Sequence, residues 1–293
     1  MKFAFIKMHA ADYGVSQLCQ LLGVSRSGYY ASLRWQPSKR QQENEALVAF
    51  IRKAHQQSAQ RYGSPGIHQA LVQWGKPCSL GRVKRLMRQE GIYARLGQRS
   101  RNKRVRREVE VMENLLKQEA VAVTAINQLY YADITLIPTH EGWLYLAAVM
   151  DAYSRRIVGY AMNDNMQTDL IIQALRMATK QRRPPKGLIH HSDRGSQFTS
   201  HAFARELAAW GFRQSFTATG ACLDNAYIES FFATLKKELV YQHAFATREE
   251  ARKSLFAYIN VTYNRYRLHS SLGYQSPDAF EATPTSQLLA LAA

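Results

Sequence analysis

The chain has 293 residues with 46% hydrophobic and 11% aromatic side chains, enough for about two cored domains at ~150 residues each. No apolar run approaches the roughly 18 to 20 residues of a membrane span, and "MKFAFIKMHA" is too short and interrupted for a secretory signal, so a cytoplasmic protein is expected. Lys and Arg outnumber Asp and Glu by 39 to 22, a net charge of +17, and Cys19, Cys78 and Cys222 are too scattered for a disulfide framework or a zinc knuckle.

The charge is unevenly placed. Residues 1–110 hold 21 basic and 6 acidic side chains, a balance of +15 against +2 for the remainder. Such asymmetry points to an amino-terminal region that meets a polyanion, because each phosphate neutralised releases condensed counterions. The alternative is a solvated basic face. In "VSQLCQLLGVSRSGYYASLR", Leu18, Leu21 and Leu22 form an apolar stripe, Gly23 closes a helix, and Ser25 caps a second that shows Arg26 and Ser27 at its start. In "GSPGIHQALVQWGKPCSLGRVKRLMRQEGIYA", Ile67, Leu71 and Val72 precede a break at Gly75 and Pro77. Ser79 then caps a helix with Val83 and Leu86 inward and Arg82, Arg85 and Arg88 outward. Each helix pair alone is a weak helix-turn-helix signal. Beside them "GQRSRNKRVRR" carries Arg99, Arg101, Lys103, Arg104, Arg106 and Arg107 without an acid, which strengthens a nucleic-acid reading.

From about residue 125 the texture changes. "LYYADITLIP", "WLYLAAVMDAYS" and "RIVGYAMN" are aromatic and β-branched runs at turn-length spacing, which predict a three-strand antiparallel meander. A helix is predicted from an N-cap at Thr168 to Lys180, then a strand "GLIHHSD", a helix over 200–210, a strand "FRQSF" and a helix over 225–239. This order predicts one mixed sheet with parallel additions beside the meander.

Acids are sparse in these strands. Asp133 interrupts an apolar strand, or else marks an edge or solvent-facing position. Asp193 ends a later strand, where it is either a turn-former bonding the backbone two residues on or part of a site. Glu229 sits among bulky neighbours on a helix, whereas Glu238 reads as an ordinary exposed helical acid. If the two strands are neighbours and the helix crosses them, the three carboxylates converge. Two unit charges ~4 Å apart at a dielectric of ~20 repel by about 4 kcal/mol, so the group needs protons or cations. Oxygen-only donors select Mg²⁺ or Mn²⁺, and two such ions suit phosphoryl transfer. Asp151 and Asp224 read as a strand-end turn and a helix cap. His190 and His191 point to opposite sides of a strand, and both are expected to be packed or hydrogen-bonded. Tyr263, Arg265, Arg267 and His269 either bind DNA or dock the tail on the core.

"YADITLI", "HHSDRGSQF" and "DNAYIESFFATLKKEL", with 35 residues between Asp193 and Glu229, resemble the three signatures of the DDE transposase and retroviral-integrase superfamily. Lys236, seven positions after Glu229, matches the basic residue of that helix face. "LCQLLGVSRSGYYA", "RVKRLMRQEGIYA" and "YNRYRLHSSLGYQSPDAF" are similar to OrfB, the catalytic product of bacterial insertion sequences with two overlapping frames. The resemblance covers nearly the whole chain. Two departures stand out: Tyr130 replaces the frequent Trp three positions before the first aspartate, and no Cys/His set has zinc-ligand spacing.

The resemblance implies an α/β fold: a ribonuclease H-like mixed sheet with flanking helices, preceded by an all-α helix-turn-helix region. It divides the chain into a DNA-binding region with two helix-turn-helix-like units (1–95), a basic arm and linker helix (96–124), a catalytic core (125–240) and a helical tail (241–293). It further implies Asp133, Asp193 and Glu229 as catalytic metal ligands for two Mg²⁺ (or Mn²⁺) ions. Lys236 and Arg194, with the basic residues named above, are the expected DNA contacts. The implied reaction is strand cleavage and strand transfer at the ends of an insertion sequence. The enzyme would act as a homo-oligomer on DNA, with an upstream-frame OrfA product as partner or fusion. A DNA-binding regulator with a decayed catalytic domain and a nuclease that never joins strands are the competing readings.

Overall fold

The computed structural model describes residues 2–34, 36, 38–95, 113–217 and 224–283. The helical region begins with α1 (Lys2–His9), α2 (Val15–Leu21) and α3 (Arg26–Leu33). They close on Ile6, Leu18, Cys19 and Tyr29, and Ser25 caps α3 by accepting from the Gly28 amide at 3.0 Å. Leu21, expected on the apolar stripe, is instead 80% exposed. It follows Leu18 by three residues, but Cys19 and Tyr29 complete this small core without it.

A second helical unit consists of α4 (Lys39–Gln57), α5 (Ser64–Gln73) and α6 (Leu80–Gln89). Its core holds Ile51, Ile67, Leu71, Val83 and Leu86, and Ser79 caps α6 through the Arg82 amide. Val72 is exposed. Arg82, read as outward, is half-buried and turned back onto α4, where its Nε donates to Asn44 at 2.8 Å and it pairs with Glu43.

After the short α7 (Leu115–Gln118) come β1 (Leu129–Thr139), β2 (Gly142–Asp151), β3 (Ile157–Asn163), α8 (Thr168–Arg182), β4 (Ile189–Ser192), α9 (His201–Trp210), β5 (Arg213–Phe216) and α10 (Ala226–Glu238). The five strands form one sheet in the order β3-β2-β1-β4-β5. β1, β2 and β3 pair antiparallel, while β4 joins β1 and β5 joins β4 in parallel. This is the mixed sheet that the strand texture predicts. Thr168 is the first residue of α8 rather than its cap; Gln167 takes that place without a side-chain bond.

The period-2 alternation of the strands divides the core. Tyr130, Ala132, Val149 and Val158 pack on one face against α8 and α9. Leu129, Tyr131, Ile137, Leu146 and Met150 pack on the other against α10 and α11 (Arg248–Ala257), with the π-helical segment Tyr258–Tyr266 behind them. Gly159 permits the close approach of α8 to β3, since a Cβ there would run into the Ala174 carbonyl and lie 2.8 Å from the Ala178 methyl. The chain returns through α12 (Pro277–Ala282), which Arg182 clamps through Glu281 and Arg156 through Asp278.

Glu238 departs most from expectation. It is 7% exposed, accepts from Tyr258 Oη at 2.8 Å and from Arg267 Nε at 3.1 Å, and its backbone carbonyl accepts from Arg61. The sequence pattern could not show this, because its partners lie on the returning segment and on the second helical unit.

Candidate active site

The sheet register brings the first two acids together. β1 and β4 run parallel with Ala132 opposite Ser192 as their last pair, so Asp133 and Asp193 are the next residues on neighbouring strands. Both continue the odd-numbered face. Tyr131 and Ile189 already lie in the core beneath α10, and the rings of Tyr131 and His191 meet edge to face at 5.7 Å. The third acid approaches from that side. α10 buries Ile228, Phe231, Phe232 and Leu235 against this face, and the side-chain Nδ2 of Asn225 at its start donates to the Ala132 carbonyl at 3.4 Å. Glu229 stands one turn further along, its amide bonded to the Asn225 carbonyl.

The three acids differ in setting. Asp133 is buried, and its Oδ1 accepts from the Ile134 amide at 2.7 Å. Asp193 is exposed, and its Oδ1 accepts from the Gly195 amide at 3.0 Å, the turn-forming bond that was its alternative reading. That bond engages one carboxylate oxygen. Glu229 is half-buried. Among the described residues no three His, Cys, Asp or Glu side chains are gathered closely enough to hold a metal ion. The donor set itself is oxygen-only, on three elements that meet, which fits hard divalent cations.

His190 and His191 are both fully buried. His191 bonds Ser215 Oγ through Nδ1 at 2.9 Å, and burial pushes it down to about 4. A neutral His191 gives the nearby carboxylates no counter-charge. His190 packs on the opposite face against Phe198 and Phe203. Asp151 is a turn residue, its oxygens accepting from the amides of Asn127, Tyr153 and Ser154. The cap position of α10 falls on Asn225 rather than Asp224, whose carboxylate accepts from Asn114 and pairs with Lys117.

The basic residues scatter. Lys236 is half-buried, two turns beyond Glu229 on the same flank of α10. Arg194 is half-buried, with Nε donating to the Thr217 carbonyl at 2.9 Å. Arg26 and Arg85 are exposed on α3 and α6. Arg99, Arg101, Lys103, Arg104, Arg106 and Arg107 lie outside the described residues. Asn225 was read only as a helix start. Its place four residues before Glu229, on the same helix face, was the available signal that it belongs beside the acids.

The family profiles that match the chain agree with this architecture. A family profile described as "Integrase core domain" matches residues 123–222, a second profile of that description matches 210–277, and an "HTH-like domain" profile matches 41–101. The chain is 38% identical over 284 residues to "Transposase InsF for insertion sequence IS3A" of Escherichia coli, covering 96% of this chain and 98% of that one. It is 40% identical over 264 residues to "Insertion element IS600 uncharacterized 31 kDa protein" of Shigella sonnei, covering 90% and 97% of the two chains. Among solved structures, the HTLV-2 integrase catalytic core in complex with magnesium aligns at 15% identity and a TM-score of 0.41, covering 53% of this chain and 97% of that one. With near full-length identity of this order, the chain belongs to the integrase-core family of insertion-sequence transposases that includes InsF of IS3.

Proposed function

We propose that this transposase cuts and joins DNA strands at the ends of an insertion sequence, with Asp133, Asp193 and Glu229 as its catalytic carboxylates. The observation that carries the reading is the β1–β4 register, which makes Asp133 and Asp193 neighbours under the helix that bears Glu229. The three acids are the residues to hold two divalent cations, Mg²⁺ or Mn²⁺. When bound, these activate the attacking hydroxyl or water and stabilise the departing oxygen.

The protein contributes position. Asp133 is fixed by its strand and by the Ile134 amide, Asp193 by its turn, and Glu229 by a helix anchored in the core. Rigid placement supplies the alignment that in-line displacement needs, so no serine or tyrosine nucleophile is required. Two displacements follow from one centre: hydrolysis frees a 3′-hydroxyl at an element end, and that hydroxyl then attacks a second phosphodiester. Lys236 and Arg194 are proposed to hold phosphates beside the centre. Arg26, Arg82 and Arg85 with the 97–107 arm are assigned to more distant DNA, although the Glu43 and Asn44 contacts of Arg82 would have to open. A homo-oligomer on DNA, with an upstream-frame partner or fusion, completes the proposed assembly.

The test uses labelled duplexes carrying the element's ends, with Mg²⁺. Wild-type protein is expected to yield cleaved and joined products. Asp193→Asn is expected to lose both while still binding the ends. Cleavage retained in Asp193→Asn removes that residue from the centre, and nicks without joined products from the wild type favour a nuclease.

A further inference from the structure

On the flank of α10 turned away from Glu229, the second helical unit and the returning tail close a cleft of about 540 Å³. Tyr227, Ser230 and Thr234 line it as one stripe, roughly 140° round the helix from the stripe of Glu229 and Lys236. Three arginines, Arg61, Arg155 and Arg267, converge on it from three separate parts of the chain. Glu238 is the one carboxylate among its described lining residues, and it is engaged by Arg267 and Tyr258.

Two nitrogens in this cleft lack partners among the described residues. Arg155 lies over the Tyr227 ring at 3.3 Å, and its Nη1 is buried without a hydrogen bond. His269 Nε2 is buried and unbonded in the same wall. Burial, together with the charges of Arg267 and Arg155, holds His269 neutral, pushed down to about 3. The Arg155 Nη1 is a donor in every state, a donor buried without an acceptor is costly, and a ligand rich in acceptor oxygens removes that cost. Excess positive charge selects an anion. The guanidinium fork of Arg155 and the hydroxyls of Ser230 and Thr234 suit phosphate oxygens.

We propose that this cleft holds a phosphodiester of a DNA strand at a site separate from the catalytic carboxylates, with Arg155 as the main phosphate ligand. The proposal rests on the DNA-processing reading above, and it gives that reading a second anchoring point. Tyr62 Oη donates to the Tyr266 carbonyl and accepts from the Leu268 amide, which completes the cleft wall.

The test is binding of the full-length chain to a labelled element-end duplex across a salt series. Arg155→Gln is expected to weaken binding about tenfold and to flatten the log-affinity against log-salt slope by about one. Ser230→Glu adds a carboxylate at an exposed helical position and is expected to weaken binding similarly. It decides the question if Arg155→Gln fails to fold by circular dichroism. Asp193→Asn is expected to bind like the wild type, so a failed cleft and a failed catalytic assignment give different results. Folded Arg155→Gln or Ser230→Glu with wild-type affinity and slope overturns the proposal. Inorganic phosphate binding that Arg155→Gln abolishes while DNA affinity stays unchanged assigns the cleft to a small anion and overturns it too.

Discussion

His190 shows how much one side chain can bind stability to pH. Burial among Phe198 and Phe203 pushes it down to about 3, against about 6.5 in an unfolded chain. Between those two values the unfolded chain takes up a proton that the fold refuses, so this contribution is complete above pH 6.5 and is lost as the pH falls toward 3. We expect urea stability to drop between pH 6.5 and 5, with His190 contributing up to about 1.4 kcal/mol per pH unit. His190→Leu should flatten that dependence by up to one proton, and an unchanged slope in urea titrations at pH 5, 6 and 7 would exclude His190 as its source. The burial of both histidines was legible in the sequence, since they interrupt an apolar strand. The burial of Glu238 was not, because a helical acid reveals nothing of the Tyr258 and Arg267 that fold back onto it.

Among the elements, α8 and β3 depend on a missing side chain. Gly159 faces the backbone of α8 at Ala174 and Ala178, so any Cβ must push helix and strand apart. Gly159→Ala is expected to cost about 2 kcal/mol, in the range of core overpacking, and a thermal midpoint within a degree of wild type would show that α8 adjusts freely. This constraint leaves little trace in one sequence, where Gly159 reads as an ordinary residue of "RIVGYAMN". The strands themselves were legible because their periodicity is strong. Helix starts were less so: Ser25, Ser79 and Ser200 cap as their chemistry suggests, but Thr168 does not, since the backbone at Gln167 already makes the entry. The neighbouring of Asp133 and Asp193 lay between these cases. Spacing and resemblance suggested it, yet only the parallel β1–β4 register gives it a geometry.

At the scale of the whole molecule, Glu238 ties three parts of the chain together: α10, the returning segment through Arg267, and the second helical unit through Arg61. A buried ion pair that loses one member leaves the other uncompensated. Glu238→Ala is therefore expected to destabilise by about 3 kcal/mol and to speed hydrogen exchange in the returning segment, while the tie to the second helical unit persists because Arg61 bonds the backbone carbonyl that alanine retains. Faster exchange in α5 as well would show that the helical unit depends on the Glu238 side chain. The sheet order has a further consequence, for the timing of synthesis. β1 finds β2 within a few residues, but β4 arrives only about fifty residues after β1 ends, and α10 later still. A chain still on the ribosome can complete its meander while the acids remain apart. On the reading proposed above, a protein that severs DNA is thus harmless for most of its own translation, and it acquires chemistry only as the last long-range pairings are made.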